Sequence, residues 1–216
     1  MRSVLFGLLT VALSATASTS RAESGSSATS LQQPSPAATL RQDMRKLWTD
    51  HVVWTRDYII AAVGDQPDAT AAANRLLKNQ EDIGGAIAGI YGKPAGDQLT
   101  TLLKEHITIA VELIKAAKAG DSPAQQKADA RWQENGVAIA DFLSKANPNW
   151  PRAALVDMMK KHLSTTTNEV VARLKKDWEG DVKAYDEVYN HILMMADALS
   201  DGIVKQFPEK FGKTGL

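Results

Sequence analysis

His51-Val-Val-Trp-Thr-Arg-Asp-Tyr-Ile-Ile-Ala-Ala-Val-Gly64-Asp65-Gln66-Pro67-Asp-Ala-Thr-Ala-Ala-Ala-Asn-Arg-Leu-Leu-Lys-Asn79 is the stretch that decides the fold. It runs from one polar residue on an apolar stripe, through a Gly-Asp-x-Pro stop-and-start signal, to a second polar residue on another apolar stripe. Glycine ends a helix, and proline is tolerated in the first turn of the next one. His51 lies 14 residues before Asp65 and Asn79 lies 14 after it. At 1.5 Å per residue both stand about 21 Å from the turn, so an antiparallel hairpin sets them at one height.

The same pattern returns twice. His106, Gly120-Asp121-Ser122-Pro123 and Asn135 repeat it, and His162, Asp177 and His191 repeat it again. The steps are 55 and 56 residues for His51, His106 and His162, and 56 and 56 for Asn79, Asn135 and His191. A fixed period of this length marks a repeated supersecondary unit. Apolar residues recur at three and four on both sides of each turn, as in Leu47, His51, Thr55 and Tyr58, or Leu76, Asn79, Ile83 and Ile87. The spacing predicts six helices, at about 39–62, 68–90, 96–119, 123–146, 152–175 and 179–206. The expected fold is all-α: three tandem antiparallel αα-hairpins forming one bundle, closed in preference to an open stack. Asn147-Pro148-Asn149-Trp150-Pro151 reads as a stiff loop over one end, and the small face Gly84, Gly85, Ala86, Ala88 and Gly89 as the close approach of another helix.

The N-terminus carries Arg2, an apolar run from Val4 to Leu13, and the small-residue pattern Ala15-Thr16-Ala17, with Ser20-Arg21-Ala22 a second candidate. That is the layout of a cleaved export signal over 1–22. Residues 23–37 read as a flexible linker, 38–211 as the bundle and 212–216 as a tail. The expected location is the periplasm or the outside of the cell. The mature part, about 180 residues, is long enough to bury roughly 70% of its extended-chain surface in one domain. Downstream of the signal no apolar run is long enough to span a bilayer. With 25 basic and 25 acidic residues the charge balance argues against nucleic acid, where a basic face is expected. There is no Cys, so no disulfide braces the fold.

Six polar side chains inside apolar stripes demand partners, because an unsatisfied buried group costs about 1–3 kcal/mol. Three chemistries meet that demand. A hydrogen-bonded layer would set the register of three similar hairpins. A transition-metal ion (Zn, Cu or Fe) would use His51, His106, His162 and His191, because neutral imidazole is the commonest metal ligand. A metal-dependent enzyme would use the same layer. The expectation is the ion, in metal handling or sensing, and the balance lies against an enzyme.

Glu169 lies two turns beyond His162 on the same face, and Asp82 lies three residues after Asn79. Both are candidate oxygen ligands or orienting groups, with Arg56 the alternative partner of Glu169. Asn79, Asn135, Thr55 and Thr166 are candidates to hydrogen-bond and orient the ligands. Met158, Met159, Met194 and Met195 all fall within one turn of a histidine; thioether beside imidazole suits copper, and core filling is the ordinary use. Phosphate-binding loops, nucleophile elbows and His-Glu-x-x-His motifs are missing.

The chain also resembles a family of small exported all-helical bacterial proteins of unassigned function. The resemblance is carried by Leu47-Trp-Thr-Asp-His-Val-Val-Trp-Thr-Arg56, Asn79-Gln-Glu-Asp-Ile-Gly84, Leu103-Lys-Glu-His-Ile107, Ala146-Asn-Pro-Asn-Trp-Pro151, His191-Ile-Leu-Met-Met-Ala-Asp197 and Gln206-Phe-Pro-Glu-Lys-Phe211. It implies export and a helical fold, and it carries no catalytic residues.

Overall fold

Helix starts and stops are set by local chemistry. The computed structural model describes residues 33–212. The Ser35 hydroxyl accepts from the Ala38 amide, and Pro36 opens α1, Pro36–Val63. α2 runs Ala69–Tyr91, α3 Lys93–Ala119 and α4 Ser122–Ala146. α5 runs Arg152–Leu174 and α6 Trp178–Gln206. A short α7, Pro208–Phe211, was not expected. Pro36 and Ala37, read as linker, are the first turn of α1. The signal 1–22, most of the linker and nearly all of the tail lie outside the described residues.

The three turns within the pairs α1–α2, α3–α4 and α5–α6 close alike. The amides of Gln66, Asp121 and Asp177 bond back to the carbonyls of Ala61, Ala116 and Ala172 at 2.8, 3.0 and 3.0 Å. The residue just before each donor, Asp65, Gly120 or Lys176, has positive φ of 54°, 70° or 58°. Each of these residues stands 14 positions after a histidine of the odd-numbered helices. The later pairs then start their next helix from an aspartate cap: Asp121 accepts from the Ala124 amide and Asp177 from that of Gly180, both at 3.0 Å. Gln66 cannot cap in the first turn. Pro67 therefore lies before α2 rather than inside its first turn, and α2 begins later.

Every helix from α1 to α6 packs on the next, and α6 packs back on α1, so the six close into a ring. The last seam is edged by Arg41 with Asp201 and by a two-pronged Arg45–Asp197 pair at 2.7 and 2.6 Å. The main apolar core gathers Met44, Trp48, Leu103, Ile139, Leu163 and Ile192 among others. A smaller cluster, with Tyr58, Ile59, Ile114 and Val170, lies nearer the turns. The Asn147–Pro151 loop covers one end, with Trp150 buried on Tyr91 and the Asn147 amide donating to the Tyr91 hydroxyl at 2.9 Å.

The small face of α2 is used as the sequence suggests at Gly84 and Ala88, both of which pack closely on Gly96 of α3. A Cβ on Gly84 would strike the Thr100 hydroxyl and lie 2.8 Å from the Gly96 carbonyl oxygen on α3, whereas Gly85 and Gly89 face open space. Gly84→Val is therefore expected to destabilise by about 3 kcal/mol or more through overpacking, and Gly85→Ala to raise helix stability by up to about 1 kcal/mol. Chemical denaturation of the two variants checks the contrast; equal midpoints would contradict the close crossing.

Candidate functional site

All six polar side chains that recur along the sequence are buried, and the four imidazoles meet. His162 is the hub: its ring centroid lies 5.7 Å from His51, 6.1 Å from His106 and 6.4 Å from His191. His51 also packs on Trp48 and His106 on Trp132. The heptad-like stripes bring the rings inward, and the matched distances from the turns bring them to one level.

The layer divides into two halves with different chemistry. The even-helix members make one recurring bond. Asn79 Nδ2 donates to the Leu47 carbonyl at 2.9 Å, Asn135 Nδ2 to Leu102 at 3.1 Å, and His191 Nε2 to Met158 at 2.9 Å. Each acceptor is the carbonyl four residues before the histidine of the facing helix. These three side chains tie the two helices of a pair at a fixed height.

The odd-helix members are less committed. Asn135, oriented by its bond to Leu102, turns Oδ1 to His106 Nδ1 at 2.8 Å. His106 must then carry its proton on Nδ1, which leaves the Nε2 lone pair free. Gln80, missed in the sequence, is fully buried and donates to the Leu76 carbonyl and to Asn79 Oδ1. Its amide nitrogen also stands 3.3 Å from His51 Nδ1. Gln80 falls on the stripe Leu76, Gln80, Ile83, Ile87, and that position was the available signal. His162 Nδ1 is buried with no partner, and so is the hydroxyl of Thr166 one turn later. Helical threonines usually return their hydroxyl to the preceding turn. Thr55, Thr165 and Thr167 do so here, Thr55 to His51 O at 2.7 Å, and Thr166 does not.

Burial keeps these imidazoles uncharged. It pushes His51 down to about 3, with His106 nearby adding to the fall, and His106 down to about 4. His162 is held well below the ordinary imidazole range by burial and by its three imidazole neighbours, and burial also lowers His191.

The two carboxylates expected beside the imidazoles are engaged elsewhere. Asp82 faces outward, 2.8 Å from Lys78 and 3.9 Å from Arg75. Glu169 does point inward, but Arg56 holds it at 2.8 Å. Arg56 also forms a two-pronged pair with Asp181 at 3.0 Å, and Arg173 meets Asp181 at 3.1 Å. Burial pushes Glu169 up to about 7 against the pull of Arg56. Asp181, only 1% exposed, was not singled out in the sequence. It shares a face with Ala184, Val188 and His191, which is how it could have been found. Among the described residues no group of three or more His, Asp and Glu stands ready to hold a metal ion.

A cleft of about 280 Å³ lies over the imidazoles, with His51, His106 and His162 in its wall. Its sides are apolar, with Leu113, Ile114, Val170 and Val171 among them, and Gln125, Gln126 and Asp129 of α4 also line it. On the other side of the same three rings a void of about 20 Å³ is lined by Met158, Met159 and Met195. Met194, by contrast, is 61% exposed. Comparison of the chain with protein-family models, with curated proteins and with solved structures gives no match. The site stands on its own chemistry.

Proposed function

We propose that the protein binds a transition-metal ion (Zn, Cu or Fe) through His51, His106 and His162, in metal handling or sensing. The observation that carries this reading is the unpartnered Nδ1 of His162 at the hub of three uncharged imidazoles. An orphaned buried nitrogen is costly unless something completes it. His106 already offers a free Nε2, with Asn135 in the orienting role that a ligand histidine needs. The rings must turn to converge on one ion, and the χ2 torsion of histidine is soft enough for that. Relative to the sequence expectation, the proposed ligand set narrows from six residues to three. His191 is engaged by Met158, Glu169 by Arg56 and Asp82 by Lys78. Thr55 is bound to its own helix and Asn79 serves the height of α2, so of the four orienting candidates Asn135 keeps the role toward a ligand.

With the ion reading go two further proposals. The recurring turn bonds and the recurring carbonyl bonds support three copies of one hairpin. The N-terminal signal-like segment and the family resemblance support export to the periplasm or beyond. An enzymatic role would need a reacting molecule in the cleft, and none is assigned.

A second reading, a layer that is only a hydrogen-bond network, is favoured by the three carbonyl bonds of Asn79, Asn135 and His191. Elemental analysis of untagged protein and a cobalt(II) absorption titration separate the two. The parent is expected to bind one ion, Asn135→Leu to bind about 10–100-fold more weakly, and His191→Gln to bind as the parent does. Binding by the His51/His106/His162 triple alanine variant equal to the parent's sinks the ion reading. A melting temperature unmoved by chelator supports the network alone, since a ligand of the folded state must raise stability.

A further inference from the structure

We infer that the cleft over the imidazoles is a binding site for a small, uncharged, apolar molecule carrying one hydroxyl group. Its volume of about 280 Å³ is near the lower end for ligand pockets. Most of its wall is apolar, with Leu76, Ile107, Val111, Leu113, Ile114 and Val170 contributing. That surface suits a hydrocarbon body, whose transfer from water is favourable at roughly 25 cal/mol per Å².

The head group follows from the polar atoms. No Lys or Arg lines the cleft, and Asp129 is the one carboxylate in the lining. An anionic head would find no counter-charge, and burying an unpaired charge is costly. Three buried polar groups in the lining have no partner: Trp132 Nε1 on α4, and the Thr166 hydroxyl and His162 Nδ1 on α5. Thr166 and His162 are four residues apart and so neighbour each other on one helix face. A hydroxyl both donates and accepts, so a small rotation of Thr166 lets one ligand hydroxyl serve both groups, whichever nitrogen of His162 carries the proton. A plain hydrocarbon would leave both unsatisfied.

The inference shares the imidazole floor with the ion-binding proposal but rests on the cleft. It is therefore tested on chelator-treated protein, so that either proposal can fail alone. Three probes with one carbon frame are titrated by calorimetry and by tryptophan fluorescence, to which Trp132 in the cleft wall contributes: cyclohexanol, methylcyclohexane and cyclohexanecarboxylate. Cyclohexanol is expected to bind best. Thr166→Val, which keeps the shape and removes the hydroxyl, should cost cyclohexanol roughly fivefold in affinity and leave methylcyclohexane unchanged. Ala110→Phe, which fills the cleft, should abolish binding of every probe while the helical circular-dichroism spectrum is retained. Absence of binding by all three probes overturns the inference. So does tighter binding of the carboxylate, or an unchanged cyclohexanol affinity in Thr166→Val.

Discussion

Asp181→Ala is expected to lower the melting temperature by about 10 °C, the largest single-residue effect in the protein. Asp181 is the shared acceptor of two arginines that arrive from different helices, Arg56 from α1 and Arg173 from α5. Its side chain is 2% exposed, and those of Arg56 and Arg173 are 17% and 22% exposed. Removing one member of a buried charge group costs about 3–5 kcal/mol, because the remaining charges stay out of water without compensation. A domain of this size loses roughly 2–4 °C per kcal/mol. Glu169→Gln should cost much less at pH 7, since burial already holds that carboxyl up at about 7 and part of the population is neutral. Replacing Arg56, Glu169, Arg173 and Asp181 together by Met, Leu, Met and Leu should recover most of the loss, because no member of the cluster is then left unpaired. Thermal unfolding followed by circular dichroism measures all three; an Asp181→Ala variant melting within 2 °C of the parent would show that the cluster does not stabilise the ring.

Acid is expected to unfold the protein over a window fixed by the imidazoles. Unfolded histidines take up protons near 6.5. Folded His106 stays neutral to about 4 and folded His51 to about 3, and His162 is shifted in the same direction. Their folded values are depressed, so the unfolded state binds more protons and stability falls as pH drops below 6.5. Glu169 acts the other way: its folded value is raised, so between about 4.5 and 7 the folded state binds the extra proton. Three imidazoles against one carboxyl leave about two protons net taken up on unfolding. That corresponds to about 3 kcal/mol per pH unit between pH 6 and 4.5. Urea unfolding at a series of pH values reads the slope directly. A flat profile across that interval would mean that the imidazoles are not buried and neutral, and both the ion and the cleft proposals would lose their footing.

The expected helix boundaries agree with the structure to within about three residues, because they rest on interactions spanning four residues or fewer. Gly120 stops α3 in the left-handed region, Asp121 and Asp177 cap the helices that follow, and the three-and-four spacing marks each inward stripe. The meeting of the imidazoles was legible for the same reason: equal distances from a turn translate into equal heights. The side chains flanking a stripe were not legible. Asp82 and Glu169 look alike in spacing, yet one faces solvent beside Lys78 and the other is sealed in with Arg56. A helix has no face of its own until its neighbours are placed, and a stripe edge can turn either way. Gln80 and Asp181 were overlooked because a buried amide or carboxylate is recognised by its tertiary neighbours, and His51 lies 29 residues from Gln80 and Arg56 125 from Asp181.

By itself, then, the sequence determined six long helices, the turns that reverse them, and the level at which four histidines and two amides face inward, since all of these follow from periodicity and local hydrogen bonding. Only the packed ring decided the rest. It engaged His191 and released His162, set Asn135 on His106, drew Arg56 to Glu169 and Asp181, and left a cleft beside the rings. Those outcomes depend on how side chains from distant helices share one interior, and no local pattern encodes that.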